Sequence, residues 1–287
     1  MKIILSRKGL DGGFNGAKPS PIMPCGRLLS LPIPVTPKQM ANGEDGIPYA
    51  DLRFDGQSIR KIIDPLHKYK FNYSKAHLDP DLDRDRLENR RQGWRPAFGQ
   101  VGPPQTLLEN VNTGDLFLFF GWFRRTRYDN GELQYLQPRK CGKDLHVIFG
   151  WLQVGQRINP VTEKNCPCGL EDNLHVRNAD AHGYGRTNTI YITADELIVS
   201  GQRLGVRGAG SFPCFKSSLQ LTAPKRPRAH WCLPEWLCRG QNHGNWQCNH
   251  ENYLPFDSSS RKQEFVFNMP EDPKAIEWLK GLFEDCY

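Results

Sequence analysis

The chain carries no apolar run of membrane-spanning length, no internal repeat and no low-complexity tract. A transmembrane helix, a coiled coil, a collagen helix and a fully disordered chain are thereby excluded. No secretory leader is expected. Only Ile3, Ile4 and Leu5 form an apolar run before Ser6, Arg7 and Lys8 follow. The expected compartment is the reducing cytoplasm, with the 9 cysteines as free thiols rather than a disulfide frame. Paired C-x2-4-C knuckles are absent. Cys166 and Cys168 stand one residue apart, and Cys232, Cys238 and Cys248 are scattered beside His243 and His250, so no zinc site is expected there. Charge of one sign is in modest excess. The 38 Lys+Arg against 31 Asp+Glu leave +7, which permits an anionic partner without demanding one. Also missing are a P-loop, a G-x-G-x-x-G turn, an H-E-x-x-H helix and an H-x-E…P-C-x-x-C pair.

What is present is turn chemistry and short apolar runs. The 27 glycines and 22 prolines among 287 residues argue for many loops and short strands, and against a helical bundle. Residues 2–6 read as a first strand, and 27–34 as an extended segment broken by Pro32 and Pro34. Residues 56–63 read as a helix capped by Ser58 and ended by Pro65. The clearest strands are 114–125 (GDLFLFFGWFRR) and 146–154 (HVIFGWLQV), with Asn130-Gly131 between them as a hairpin turn. Residues 159–188 read as polar loop, 189–192 and 196–199 as another strand pair, and 263–267 as a late strand. Ile276, Trp278, Leu279, Leu282 and Phe283 recur at helical spacing over 274–283. The sum is a β-rich chain with few helices and long loops, with a sub-boundary near 112.

Four constellations bear chemistry. Ser6, Arg7, Lys8 and Asp11 follow a strand and precede Gly12 and Gly13, which suits an anion cradle or a charged surface turn. His77, Asp79 and Asp81 alternate along HLDPDLD, so in an extended segment they share a side. They would serve proton transfer or a hard ion such as Mg²⁺ or Mn²⁺, or else Asp81 would cap a helix running to residue 91. Trp122 leads into Arg124, Arg125 and Arg127, Trp151 precedes Arg157, and Trp94 lies among Arg90, Arg91 and Arg95. Aromatic faces beside arginines suit base stacking with phosphate contact, or core aromatics with basic strand ends. Arg226 and Arg228 sit in the basic loop KRPRAHW, a phosphate contact or a solvated loop.

Taken in order, SRKGLDGG…PSPI…GRLLSLPIP, HLDPDL, GDLFLFFGWFR with IFGWLQVG, GAGSF…LQLT…HWCLPEWL and QEFVF resemble one bacterial and phage family over nearly the whole chain. It is the nucleotide-modification-associated domain family, third class. The resemblance implies a setting, systems that modify bases in DNA, more than a reaction. The residues it carries over are Ser6, Lys8, Asp11, His77, Asp79 and Asp81. Separately, GDLFLFFGW…HVIFGWLQVG is similar to the strand pair of small barrels of the PUA, EVE and ASCH class, which bind RNA or flipped modified bases. By that likeness Trp122 and Trp151 would line the barrel face. Together the two resemblances imply an α+β fold with a β-rich, mixed or antiparallel, barrel-like core, few helices and long loops, in one module over 1–287.

The expectation is a cytoplasmic protein acting on or recognising a modified base or nucleotide. Its expected partners are nucleic acid, DNA favoured, or a nucleotide, and other proteins of a modification operon, with no membrane. As an enzyme it would use Arg7 and Lys8 on phosphate, His77 and Asp79 for protons or a divalent ion, and Asp11 to orient Lys8 or complete the metal site. A non-catalytic reader would instead use Trp122 and Trp151 as a cage, with Arg124, Arg125, Arg226 and Arg228 on the backbone. The same residues also allow a metal-dependent nuclease or phosphoesterase, or a purely structural partner.

Overall fold

Frequent turns and short apolar runs make many brief strands. The computed structural model describes residues 1–10, 18–137, 143–159, 161–162, 165–181, 185–238, 244, 246–248, 250–258 and 263–284. In chain order the strands are β1 (Lys2–Arg7), β2 (Ser20–Ile22), β3 (Ile33–Pro34), β4 (Ile47–Pro48), β5 (Arg53–Phe54), β6 (Gln57–Ser58), β7 (Lys75–His77), β8 (Ala97–Gln100), β9 (Leu116–Asp129), β10 (Glu132–Tyr135), β11 (Leu145–Ile158), β12 (Thr189–Thr193), β13 (Glu196–Val199), β14 (Gln202–Arg207), β15 (Ala209–Ser211), β16 (His230–Pro234), β17 (Tyr253–Asp257) and β18 (Glu264–Asn268). The helices are α1 (Pro37–Ala41), α2 (Arg60–Leu66), α3 (Pro103–Leu107), α4 (Leu174–Arg177), α5 (Glu235–Cys238) and α6 (Pro273–Phe283). None of these helices is long and apolar enough to cross a membrane.

The main sheet runs β18-β1-β9-β11-β12-β8, with β2, β10 and β15 paired alongside. β9 is its axis because its first half is buried on both faces, as a near-continuous apolar run requires. β1 pairs with it in parallel, Ile3 opposite Leu116 and Ser6 opposite Phe119. β11 pairs with it antiparallel, and β18 pairs antiparallel with β1. The sheet therefore takes β1, β2 and β8 from before residue 112 and its other strands from after it.

Side chains alternate across the sheet. Phe117 and Phe119 of β9 meet Phe98 of β8 at 5.0 and 5.1 Å between ring centroids, with Tyr191 of β12 beside them. Phe120 faces the opposite way and packs on Trp231 and His146. Trp151 shares that opposite side, against Phe212 and Phe283 of α6. A second apolar cluster gathers Leu29, Leu31, Tyr49, Ile59, Ile63 and Ala76 around α2 and the small β3-β7-β4 sheet.

The strand-rich, mixed architecture agrees with the sequence. The barrel does not close. β8 and β18 end the sheet and do not pair with each other among the described residues. The physical reason lies on β8, where the Gly99 N–H is taken by the Asp79 carboxylate at 2.7 Å instead of a further strand. The sheet still curls enough for one lysine to reach both ends. Lys8 Nζ donates to Gln100 Oε1 on β8 at 2.7 Å and to Glu264 Oε1 on β18 at 2.9 Å.

Other local expectations are corrected too. β12 and β13 do not form a pair: β12 lies between β11 and β8, while β13 pairs with β14. Pro65 lies inside α2 rather than ending it, and the N-cap is Ile59 rather than Ser58, which sits in β6 and accepts from Arg60 N–H at 3.3 Å. Residues 81–91 make one 3-10 turn, Arg84–Arg86, in place of a helix capped by Asp81. Cys232 and Cys248 are joined by a disulfide, with Cα atoms 5.7 Å apart. The chain doubles back over a sequence separation of 16 there, which the linear spacing hides. Cys25, Cys166, Cys168, Cys214 and Cys238 are free thiols. The Asn130-Gly131 turn is as read, with both residues at positive φ between β9 and β10.

Candidate functional site

The site is assembled where β1, β7 and β8 end together. Ser6 and Lys8 share the sheet face that carries Phe119, and Glu264 stands directly opposite Ser6 in the β1–β18 pair. Lys8 Nζ also lies 4.5 Å from the centre of the Phe98 ring, so aromatic walls surround the amine. Its ion pair with Glu264 is almost wholly buried. Glu264 Oε2 and Ser6 Oγ, both buried, make no hydrogen bond among the described residues.

Next to this pair lie His77, Asp79 and His175. One ligand atom from each falls within 4.8 Å of the others. His77 ends β7, Asp79 follows two residues on with a cis bond to Pro80, and His175 sits in the single-turn α4. α4 forms because Asn173 caps it, its side chain accepting from the His175 N–H at 2.9 Å. Gly99 makes room for the histidine: a Cβ there would stand 1.9 Å from His175 Cδ2. Asn188 fixes the ring. Its Nδ2 donates to the His175 carbonyl at 2.8 Å, which leaves Oδ1 to accept from His175 Nδ1–H, also at 2.8 Å. The lone pair then belongs to Nε2, which faces Asp79 Oδ2 at 3.8 Å.

Burial sets the protonation. It pushes the Asp79 carboxyl up to about 7, against the opposing pull of the Lys8 ammonium and the Gly99 N–H. It pushes His77 down to about 4 and His175 down to about 3, with the Lys8 and neighbouring imidazole charges acting the same way. Near neutrality the site therefore holds neutral imidazoles, a carboxyl poised to gain or lose a proton, and one fixed ammonium. The histidine–histidine–carboxylate set suits a divalent ion, and Lys8 suits an oxyanion.

A small cleft of about 30 Å³ opens beside Asp79, lined also by Gly9, Ser30, Asp83, Arg86 and Ser211. That is room for about one water molecule. A larger cleft of about 770 Å³ lies between α2 and the β5–β6 and β9–β10 hairpins, lined by Phe54, Lys61, Tyr69 and Tyr128. It shares no lining residue with the cluster, so the acid–base chemistry belongs to the smaller one.

The structure brings Ser6, Lys8, His77 and Asp79 into one neighbourhood, which spacing alone does not show. Asp81 is drawn off: Arg90 grips it with two bonds of 2.6 and 2.5 Å and Trp94 Nε1 adds a third at 3.2 Å. Asp11 lies outside the described residues. Arg7 ends β1 with its N–H on the Gln263 carbonyl. Trp122 and Trp151 do not come together. Trp122 stands opposite His146 and Trp151 opposite Leu118, four residues apart along β9, and both point away from Lys8. Trp151 is buried, its Nε1–H donating to the Arg207 carbonyl. Arg228 lies over Trp122 at 4.2 Å and Arg125 over Phe215 at 4.6 Å. Arg124 pairs with Asp144, and Arg226 is exposed in its loop.

Sequence reasoning misses His175, Asn188, Gln100, Gly99 and Glu264. His175 is a lone histidine in a polar stretch and carries no local signal. Glu264 has one: a carboxylate at an inward position of an otherwise apolar strand.

An open, curled mixed sheet with a buried ionisable cluster between its ends is thus the class of protein that fold and site define. The chain belongs to the nucleotide modification associated domain 3 family, whose model matches residues 2–268. No curated protein and no solved structure matches the chain.

Proposed function

We propose that the chain is an enzyme acting on a base or nucleotide within a DNA-modification system, with its chemistry at Lys8, His77, Asp79 and His175. The observation that carries the reading is the gathering of His77, Asp79 and His175 from two separate stretches, with the Lys8 charge acting on all three and Asp79 on the wall of a small cleft. With no ion bound, Asp79, held near 7, is the general acid or base. Lys8, fixed by Gln100 and Glu264, offers its charge to a phosphate or a developing oxyanion. Family membership supplies the nucleotide setting. DNA is the favoured partner, in the cytoplasm, alongside other proteins of the same modification operon.

A second reading is favoured by the arginine-bearing surface. Arg228 over Trp122 and Arg125 over Phe215 are two separate cation–π pairs of the kind that meets a phosphate backbone, as a non-catalytic reader of modified bases would use them. A salt titration of oligonucleotide and mononucleotide binding separates the two. On the enzyme reading, Asp79→Asn and Lys8→Met weaken mononucleotide binding. Arg226→Ala with Arg228→Ala then weakens only oligonucleotide binding, lowering the salt slope by about 2. Mononucleotide binding that ignores Asp79 and Lys8 would contradict it.

A further inference from the structure

We propose that His77, Asp79 and His175 form a binding site for one divalent transition-metal ion of the Zn²⁺ or Fe²⁺ kind. The inference concerns the site of the proposed function but stands on its own geometry.

The donors are gathered already. Their ligand atoms lie within 4.8 Å of one another, and the His175 Nε2 to Asp79 Oδ2 gap is 3.8 Å. That gap is too long for a hydrogen bond. Two ligands about 2.1 Å from one ion stand only slightly closer than this, so small side-chain rotations complete the set. Two imidazoles and one carboxylate select an ion of borderline softness over Mg²⁺ or Ca²⁺, which prefer all-oxygen shells. The sequence expectation of a hard ion on His77, Asp79 and Asp81 thus shifts in two ways: His175 replaces Asp81, and the ion changes class.

The surroundings fit the same reading. Asn188 holds His175 with Nδ1 protonated and Nε2 as the donor atom, the usual outer support of a metal-bound histidine. Gly99 leaves the space that the His175 ring occupies and steadies Asp79 through its N–H. Lys8 is ion-paired with Glu264, which offsets part of its charge at the site. Three protein ligands leave at least one coordination position for water or substrate. Of the three ligands Asp79 alone lines the small cleft, together with Ser211, Asp83 and Arg86.

The test is equilibrium dialysis of the metal-free full-length chain against Zn²⁺ in excess Mg²⁺, followed by elemental analysis, with Co²⁺ as a spectroscopic stand-in. The expected result is one equivalent of zinc. Co²⁺ should show a visible spectrum without a thiolate charge-transfer band. Stoichiometric uptake should be lost in His175→Ala and Asp79→Asn, and affinity should fall about 10–100-fold in Asn188→Ala, which keeps all three ligands. Circular dichroism checks that each variant is folded. No uptake by the folded wild-type chain overturns the proposal. So does uptake unchanged in the folded variants, or a thiolate band that puts the ion on cysteines. Mononucleotide binding is measured on the same metal-free sample. Binding retained without zinc uptake sinks the metal alone, and zinc uptake without nucleotide binding sinks the nucleotide reading alone.

Discussion

Gly99 shows how much one residue decides. Its missing side chain lets the His175 ring lie against β8, and its N–H holds Asp79. Gly99→Ala is expected to cost about 1–3 kcal/mol by overpacking and to abolish zinc uptake. Urea unfolding and elemental analysis check both, and a stable variant that still takes up zinc would contradict the geometry. His67 is a second decisive residue. It is buried beside Phe71, and burial, with the Lys18 and Arg60 charges, pushes it down to about 4. Because the folded value is depressed, the unfolded chain binds the proton first. His67 therefore removes stability as pH falls from about 6.5 toward 4. Compared with His67→Phe, the wild type should lose stability faster between pH 7 and pH 5 in urea titrations, and parallel curves would refute this. Such residues are partly legible. His77 and Asp79 stand together in the sequence, but His175 and Gly99 acquire meaning only when α4 lies on β8.

At the scale of elements, strands with strong local signals are readable: β1, β9, β11, β18 and the turn at Asn130-Gly131. Pairing is less so, because which strand lies beside β12 is decided by the register of β11 and β8 rather than by proximity in the chain. The disulfide belongs to this scale. Cys232 of β16 meets Cys248 in the stretch before β17, closing a loop with a sequence separation of 16. Replacing both by serine is expected to lower stability by about 3 kcal/mol, the cost of freeing a loop of that size in the unfolded chain. Thermal unfolding with and without the pair tests this, and an unchanged midpoint would show that the bond adds nothing.

At the scale of the molecule, Lys8 bridges the two ends of a sheet that does not close. Lys8→Met strands a buried Glu264 carboxylate and should cost about 3–5 kcal/mol, much of it recovered by adding Glu264→Leu. A single variant as stable as wild type would show that the bridge does not hold the ends together. No local pattern in the sequence announces this arrangement, since Lys8, Gln100 and Glu264 are distant in the chain and meet only through the curl of the sheet. The central claim is that chemistry on a nucleotide happens at this junction. The most direct test is mass spectrometry of the nucleosides in DNA from cells whose own copy of the gene carries Asp79→Asn. The account predicts that a modified nucleoside present with the wild-type chain is lost with Asp79→Asn, while the variant remains folded and bound to DNA. An identical nucleoside profile in both would contradict it.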